Sequence, residues 1–392
     1  MNKPKPNEHV FHMLERALRS GGAQAVFELL IRSFQEEKKY RLLFEALLMR
    51  KRHELGLPLI WTHSLDDIRG KVGLEYERAY VAVARHVGEL FLKDGEIPQA
   101  WPYFHAIGEI GPVAAALEAC DVKGKTREEV DALVEIALQE GAHPRKGIEL
   151  ILEHYGFCQA ITNFGRNPSC QGKEDCIRLL VRALHRELAE NLRLAVARRE
   201  GKRPESTSIP ELISGRHWLF EHNAYYIDSS HLASVVQFAL EFDDRETLAL
   251  LADLTNYGSR LARMFQPREH PPFDEGYRDY DVYVRALLGE NVEEAVTYFR
   301  DKLSQADPLR FGNYPAQIVV GFMARLERFE EAIEFFLRHL GNVRREELHC
   351  PSLAELCWRA QDPQKLTEVA RARSDLLDFV AGLLQMEFRR PQ

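Results

Sequence analysis

Long apolar runs are missing from this 392-residue chain. No window approaches the roughly 18 uncharged apolar residues of a membrane-crossing helix, so neither a membrane span nor a membrane partner is expected. The opening MNKPKPNEHVFHMLER holds no apolar core of signal-peptide length, and no secretion signal is expected. Cysteine is sparse: Cys120, Cys158, Cys170, Cys176, Cys350 and Cys357 make six in all, too few for a disulfide framework in so long a chain. A reducing cytoplasm fits that usage, and no CxxC spacing marks a structural zinc. The phosphate-cradling GxxxxGK[ST] and GxGxxG loops are absent, as are the GxSxG elbow, HExxH and paired ExxH. An excess of cations is absent too: 52 Lys+Arg against 60 Asp+Glu leaves a net charge of −8. A nucleic-acid partner is therefore not expected, since neutralising phosphates takes clustered cations.

What is present is a folded composition, 45% hydrophobic and 29% charged. The length suits two or three domains or one repeat array. Apolar residues recur at helical spacing nearly everywhere, and alternating β-type runs are almost absent. Ala23–Met49 places Val26, Leu29, Leu30, Phe34, Leu42, Leu43, Ala46 and Leu47 three and four apart. Arg-rich Glu174–Arg199 reads as one long helix with Ile177, Leu180, Val181, Leu184, Leu188, Leu192 and Val196 on its apolar face. Thr126 and Glu129 form a capping box, Gly141 closes the helix they open, and Pro144 suits the first turn of the next, over His143–Thr162. The fold class expected is all-α. Charged or proline-rich loops at 198–211, 266–277 and 163–173 interrupt the helices. They suggest a helical-repeat region over 1–200, a central segment rich in His and aromatics over 201–270, and a second helical-repeat region over 271–392.

Three stretches share a pattern. VARHVGELFLKDGEIPQAWPYFHAIGEIGP puts Gly88 and Phe91 on one helix, Ala100 and Phe104 on the next, and ends at Pro112. The pattern returns with Ala286, Ala295, Phe299 and Pro308, and again with Gly321, Ala332 and Phe336. A small residue lets two helices approach while aromatics fill the gap. Ala295 to Ala332 is 332 − 295 = 37 residues, near the roughly 34-residue period of tetratricopeptide units. These stretches resemble the tetratricopeptide family. The resemblance implies a TPR-like α-α superhelix, irregular in its middle, that holds a peptide or protein partner in a concave groove. Glu174–Arg199 is too long for a standard unit. Positions matching the family's carboxylate-clamp residues carry Arg85, Glu89, Tyr280, Val284, Gln317 and Gly321, so capture of a charged peptide terminus is not implied.

Residues able to do chemistry gather in the middle. His105 and Glu109, four apart on the second helix of the first repeat, are expected to share a face, as two metal ligands or a His oriented by a carboxylate. His154 sits in an apolar stretch with Cys158 four residues on, a ligand or nucleophile candidate. RHWLFEHNAYYIDSSHLASVVQF packs His217, Glu221, His222, Tyr225, Tyr226, Asp228 and His231 into fifteen residues. Asp228 there is also a good helix N-cap.

Two readings follow. In the first, the chain is a binding or scaffold protein whose groove is lined by Tyr280, Val284, Leu287 and Tyr314. In the second, it is a hydrolase or oxidoreductase acting on a small molecule. His105, Glu109, His154, His222, Asp228 and His231 would then hold a divalent Fe, Mn or Zn, with Glu221, Tyr226 and Cys158 as the catalytic candidates.

Overall fold

The computed structural model describes residues 8–60, 70–166 and 172–388; every regular element among them is a helix, and none is a strand. The all-α expectation holds. The chain parts into two compact units, Met1–Cys176 and Ile177–Gln392. No helix among the described residues is long and apolar enough to cross a membrane.

The first unit contains α1 (Glu8–Glu36), α2 (Tyr40–Glu54), α3 (Gly70–Lys93), α4 (Ile97–Ala106), α5 (Gly111–Ala119), α6 (Arg127–Val134), α7 (Pro144–Tyr155) and α8 (Phe157–Arg166). Each packs chiefly on the helices next to it in sequence. Ala23–Met49, one period in the sequence, is divided between α1 and α2 by a turn in which Lys38 takes a positive φ of 54°. His143–Thr162 is likewise divided, at Gly156, whose φ of 81° suits the residue without a Cβ. The capping box forms: Thr126 Oγ1 accepts the Glu129 N–H while Glu129 accepts the Thr126 N–H. Helices α3 and α4 approach through Gly88, where a Cβ would lie 2.6 Å from Cε2 of the fully buried Phe104. This is the close approach that the small-residue pattern anticipates.

The boundary falls within the first turn of α9 (Lys173–Glu200), and the second unit opens with the rest of that helix, whose seven predicted apolar positions from Ile177 to Val196 are all buried. It continues through α10 (Ile209–Ile213), α11 (Ser229–Ala239), α12 (Arg245–Ser259), α13 (Tyr277–Leu287), α14 (Val292–Gln305), α15 (Pro308–Phe311), α16 (Tyr314–Arg325), α17 (Phe329–Phe335), α18 (Leu353–Arg359), α19 (Pro363–Arg373) and α20 (Leu376–Phe388). From α11 onward neighbouring helices again pack in chain order. Phe273, Tyr283, Phe299 and Phe322 form an aromatic core with ring centroids 4.5–6.0 Å apart.

Arg325 on α16 ties this core to the end of α11. Its guanidinium donates to the Leu240 and Phe242 carbonyls and to the Asp243 carboxylate, and lies over the Tyr283 ring. The carbonyls at a helix C-terminus have no partners within the helix, and a forked cation satisfies several at once. Arg325→Lys should cost about 1–3 kcal/mol, because one ammonium cannot reach the same acceptors. Chemical denaturation reads the loss, and an unchanged midpoint would discount the tie.

Candidate functional site

The loop from α5 to α6 folds on itself. Asp121 Oδ1 accepts the Lys123 N–H at 2.9 Å, the Lys125 N–H donates to the Val122 carbonyl, and Gly124 takes a φ of 82°. Asx turns of this kind satisfy backbone groups locally and leave the side chains free to face outward. On one side the loop borders a cleft of about 540 Å³ that it shares with Lys146, Glu153 and His154. On the other it borders a cleft of about 550 Å³, walled by Asp94–Gln99, Lys125, Glu128, Glu129, Ala132 and Leu133. Cys120 lines both.

The two clefts differ in charge. The first mixes Lys123 and Lys146 with Asp121, Glu153 and His154. Lys146 is buried, and its Nζ lies 3.5 Å from Glu149. The second sets Asp94, Glu96, Glu128 and Glu129 against the lone cation Lys125 in its wall. Hydrogen bonds from Lys38 and then Tyr40 hold the Asp94 carboxyl below the usual carboxylate range. The Thr126 backbone N–H does the same for Glu129. Both are anions at neutral pH, so this cleft favours a cation or an N–H donor. Gln99, another residue of this wall, has a side-chain carbonyl oxygen closed off from solvent and without a hydrogen-bond partner. Such an acceptor is costly to leave unmatched.

The residues singled out from the sequence take other places. His105 and Glu109 do not share a helix face: α4 ends at Ala106, and Gly108 turns the chain with a φ of 70°. His105 packs on Trp101 with centroids 5.0 Å apart, while Arg85 grips both Glu109 oxygens. His154 is exposed at the first cleft, and Cys158 is exposed one helix later, beyond the break at Gly156.

In the second unit, Glu221 and His222 are exposed, and His222 has a left-handed φ of 55°. Asp228 caps α11, accepting the Ser230 N–H at 2.7 Å and the Ser230 hydroxyl at 2.6 Å. The backbone of Tyr226 is pinned by Asn191 and by the Tyr257 hydroxyl, and partial burial raises its phenol's pKa. The crowded 217–231 stretch thus anchors α11, with Phe220 against Tyr257 and Arg199 over Trp218. Among the described residues no three His, Cys, Asp or Glu side chains come together as a metal would require.

Two of the four groove positions are corrected. Tyr280 stacks on Phe273 at 4.4 Å and is buried, and Val284 is fully buried, because both lie on the face of α13 that packs into the core. Leu287 is half-buried and Tyr314 is 48% exposed.

One buried polar cluster has no counterpart in the sequence reading. Asp279 on α13 has no solvent exposure, yet it accepts from the Tyr298 hydroxyl at 2.6 Å, Lys302 Nζ at 2.9 Å and the Glu275 N–H at 2.6 Å. Burial pushes its carboxyl above the usual range despite these donors. These three donors come from the loop before α13 and from α14, so the cluster clamps the 266–276 loop to α13 and α14. No local pattern marks it, since its members are 19 and 23 residues apart.

No family model and no curated protein matches this chain.

Proposed function

We propose that this chain is a tetratricopeptide-like helix-pair protein that works by holding a peptide or protein partner, with the two clefts beside the 119–125 loop as the place of capture. The observation that carries the reading is the pair of clefts meeting at Cys120, one of which gathers Asp94, Glu96, Glu128 and Glu129 in its wall. A peptide backbone supplies N–H donors at a regular interval. A basic side chain suits the carboxylates of the second cleft, and an acidic one suits Lys123 and Lys146 in the first. Packing between chain neighbours supports the same reading, because arrays of helix pairs present surfaces rather than enclosed reaction chambers.

Selection of a random dodecapeptide display library on the full-length protein tests this. Enriched peptides should carry a cation and compete for one site. Their affinity should fall at least tenfold for Glu128→Lys and for Glu96→Lys, with thermal melting unchanged. No enrichment, or wild-type affinity in both variants, would reject the assignment.

A further inference from the structure

Helix α7 starts on a histidine. Nδ1 of the N-cap residue His143 accepts the Lys146 N–H at 3.4 Å, whereas the other side-chain caps among the described residues are Thr, Ser or Asp. The first N–H groups of a helix have no carbonyl behind them, so this ring nitrogen is the acceptor that the Lys146 amide has. An accepting Nδ1 carries no proton, which places the hydrogen of the neutral ring on Nε2. That nitrogen lies 3.1 Å from Glu118 Oε2 at the end of α5. One ring thus takes from the backbone of α7 and gives to a carboxylate of α5.

Protonation sets these two bonds against each other. An imidazolium donates from both nitrogens. Its contact with Glu118 becomes an ion pair, while Nδ1–H then points at another donor, the Lys146 N–H. A cation in the cap also meets the positive end of the α7 dipole and the charges of Arg145 and Lys146. Among the described residues Glu118 is the one carboxylate within ion-pair reach of the ring. Glu149 on α7 lies 3.5 Å from both Arg145 and Lys146, and the Glu135–Gln139 turn that packs on α7 sends no ion pair to the ring. Burial works against the Glu118 charge, yet the hydrogen bond and then the charge of Arg145 hold its carboxyl below the usual carboxylate range. Glu118 therefore stays an anion in mild acid, ready to draw the charged ring.

We infer that His143 is a proton-operated latch on the wall of the first cleft. Neutral, it caps α7 and fixes the first turn that carries Lys146. Charged, it leaves the cap for Glu118 and releases that turn. Lys146 lines the cleft of about 540 Å³, and α5 runs from Glu118 directly into the Ala119–Gly124 side of it, so both ends of the latch belong to that wall. Histidine is the side chain that ordinarily changes charge between pH 5 and 8. The effect on capture rests on the function proposed above; the latch itself does not.

Hydrogen exchange by NMR, on the full chain with 15N-labelled lysine, reads the latch without a partner. Corrected for intrinsic exchange, protection of the Lys146 amide should fall about threefold or more from pH 7.5 to pH 5.5, the scale of a lost cap. His143→Asn, whose side-chain oxygen accepts at both pH values, should show equal protection at both. His154, in the same cleft, is common to the two proteins, so the comparison cancels its titration. Equal wild-type protection at the two pH values, or a fall that persists in His143→Asn, overturns the latch. So does an imidazole 15N spectrum that places the His143 proton on Nδ1 at pH 7.5. Failure of the peptide selection rejects capture and leaves these exchange results to decide the latch, so the two fail separately.

Discussion

Lys302→Met is expected to destabilise the second unit by about 3–5 kcal/mol, because it leaves a buried carboxylate without its counter-ion. Lys302 is a fork between two environments. It reaches Asp279, which has no exposure, and Asp274, which is about half exposed and can turn to water when the ammonium is gone. Asp279 has no such escape and keeps only the Tyr298 hydroxyl and the Glu275 N–H. Its charged form then loses its main support, and the carboxyl, already raised by burial, rises further. A carboxyl whose folded pKa lies above its unfolded value binds the proton more tightly when folded. It therefore favours folding at low pH, and that contribution is lost as the pH rises through the folded pKa. The variant should accordingly lose more stability at pH 8 than at pH 5. A melting-point drop on the order of 10 °C is expected for a unit of this size. Asp279→Asn combined with Lys302→Met removes both charges and should recover much of the loss. Equal losses at the two pH values, or no recovery in the pair, would show that the cluster is not an ion-pair clamp.

Phe104→Ala carries the second large effect, about 3–5 kcal/mol in the first unit, from lost contacts and the cavity left between α3 and α4. Phe104 has no solvent exposure, and its ring stands over Gly88. Gly88→Ala should cost about 1–3 kcal/mol by itself, since the new methyl meets the ring at 2.6 Å and neither helix can withdraw without opening its other contacts. Combined with Phe104→Ala the same methyl enters vacated space. The double variant should be less destabilised than the sum of the singles by about 1 kcal/mol or more. Gly321, which occupies the corresponding small-residue place in the third stretch, provides the contrast. A Cβ there finds only Cys350 Cβ, at an ordinary 3.9 Å, so Gly321→Ala should be neutral or stabilising by up to about 1 kcal/mol through helix propensity. Urea denaturation of the four variants checks the set. Strict additivity at 88 and 104 would show that the two residues do not share one gap.

The contrast between Gly88 and Gly321 shows how far a sequence pattern reaches. Both satisfy the same spacing rule, but whether a glycine is a point of helix contact depends on what the next helix places opposite it. Spacing cannot report that. The same holds for the candidate chemistry. Asp228 was legible as a helix cap because the group it accepts from is two residues away. His105 and Glu109 look paired in sequence, yet Gly108 separates them by ending the helix, and Arg85 from α3 takes the carboxylate. The clefts beside Cys120 and the Asp279 cluster left no local mark, being assembled from different elements well beyond one helical turn apart.

What the sequence determined by itself is the helical character of the described chain, the apolar face of α9, the capping box at Thr126 and the cap at Asp228. Each rests on interactions within about one helical turn to a few turns, and period and residue type encode those directly. The tertiary structure alone decided where helices break, which aromatic residues enter the core and which carboxylates find a cation. It also decided that the last helix turns its leucines outward. These outcomes depend on which neighbour fills the space opposite a side chain, a property of packed surfaces that no single stretch of sequence contains.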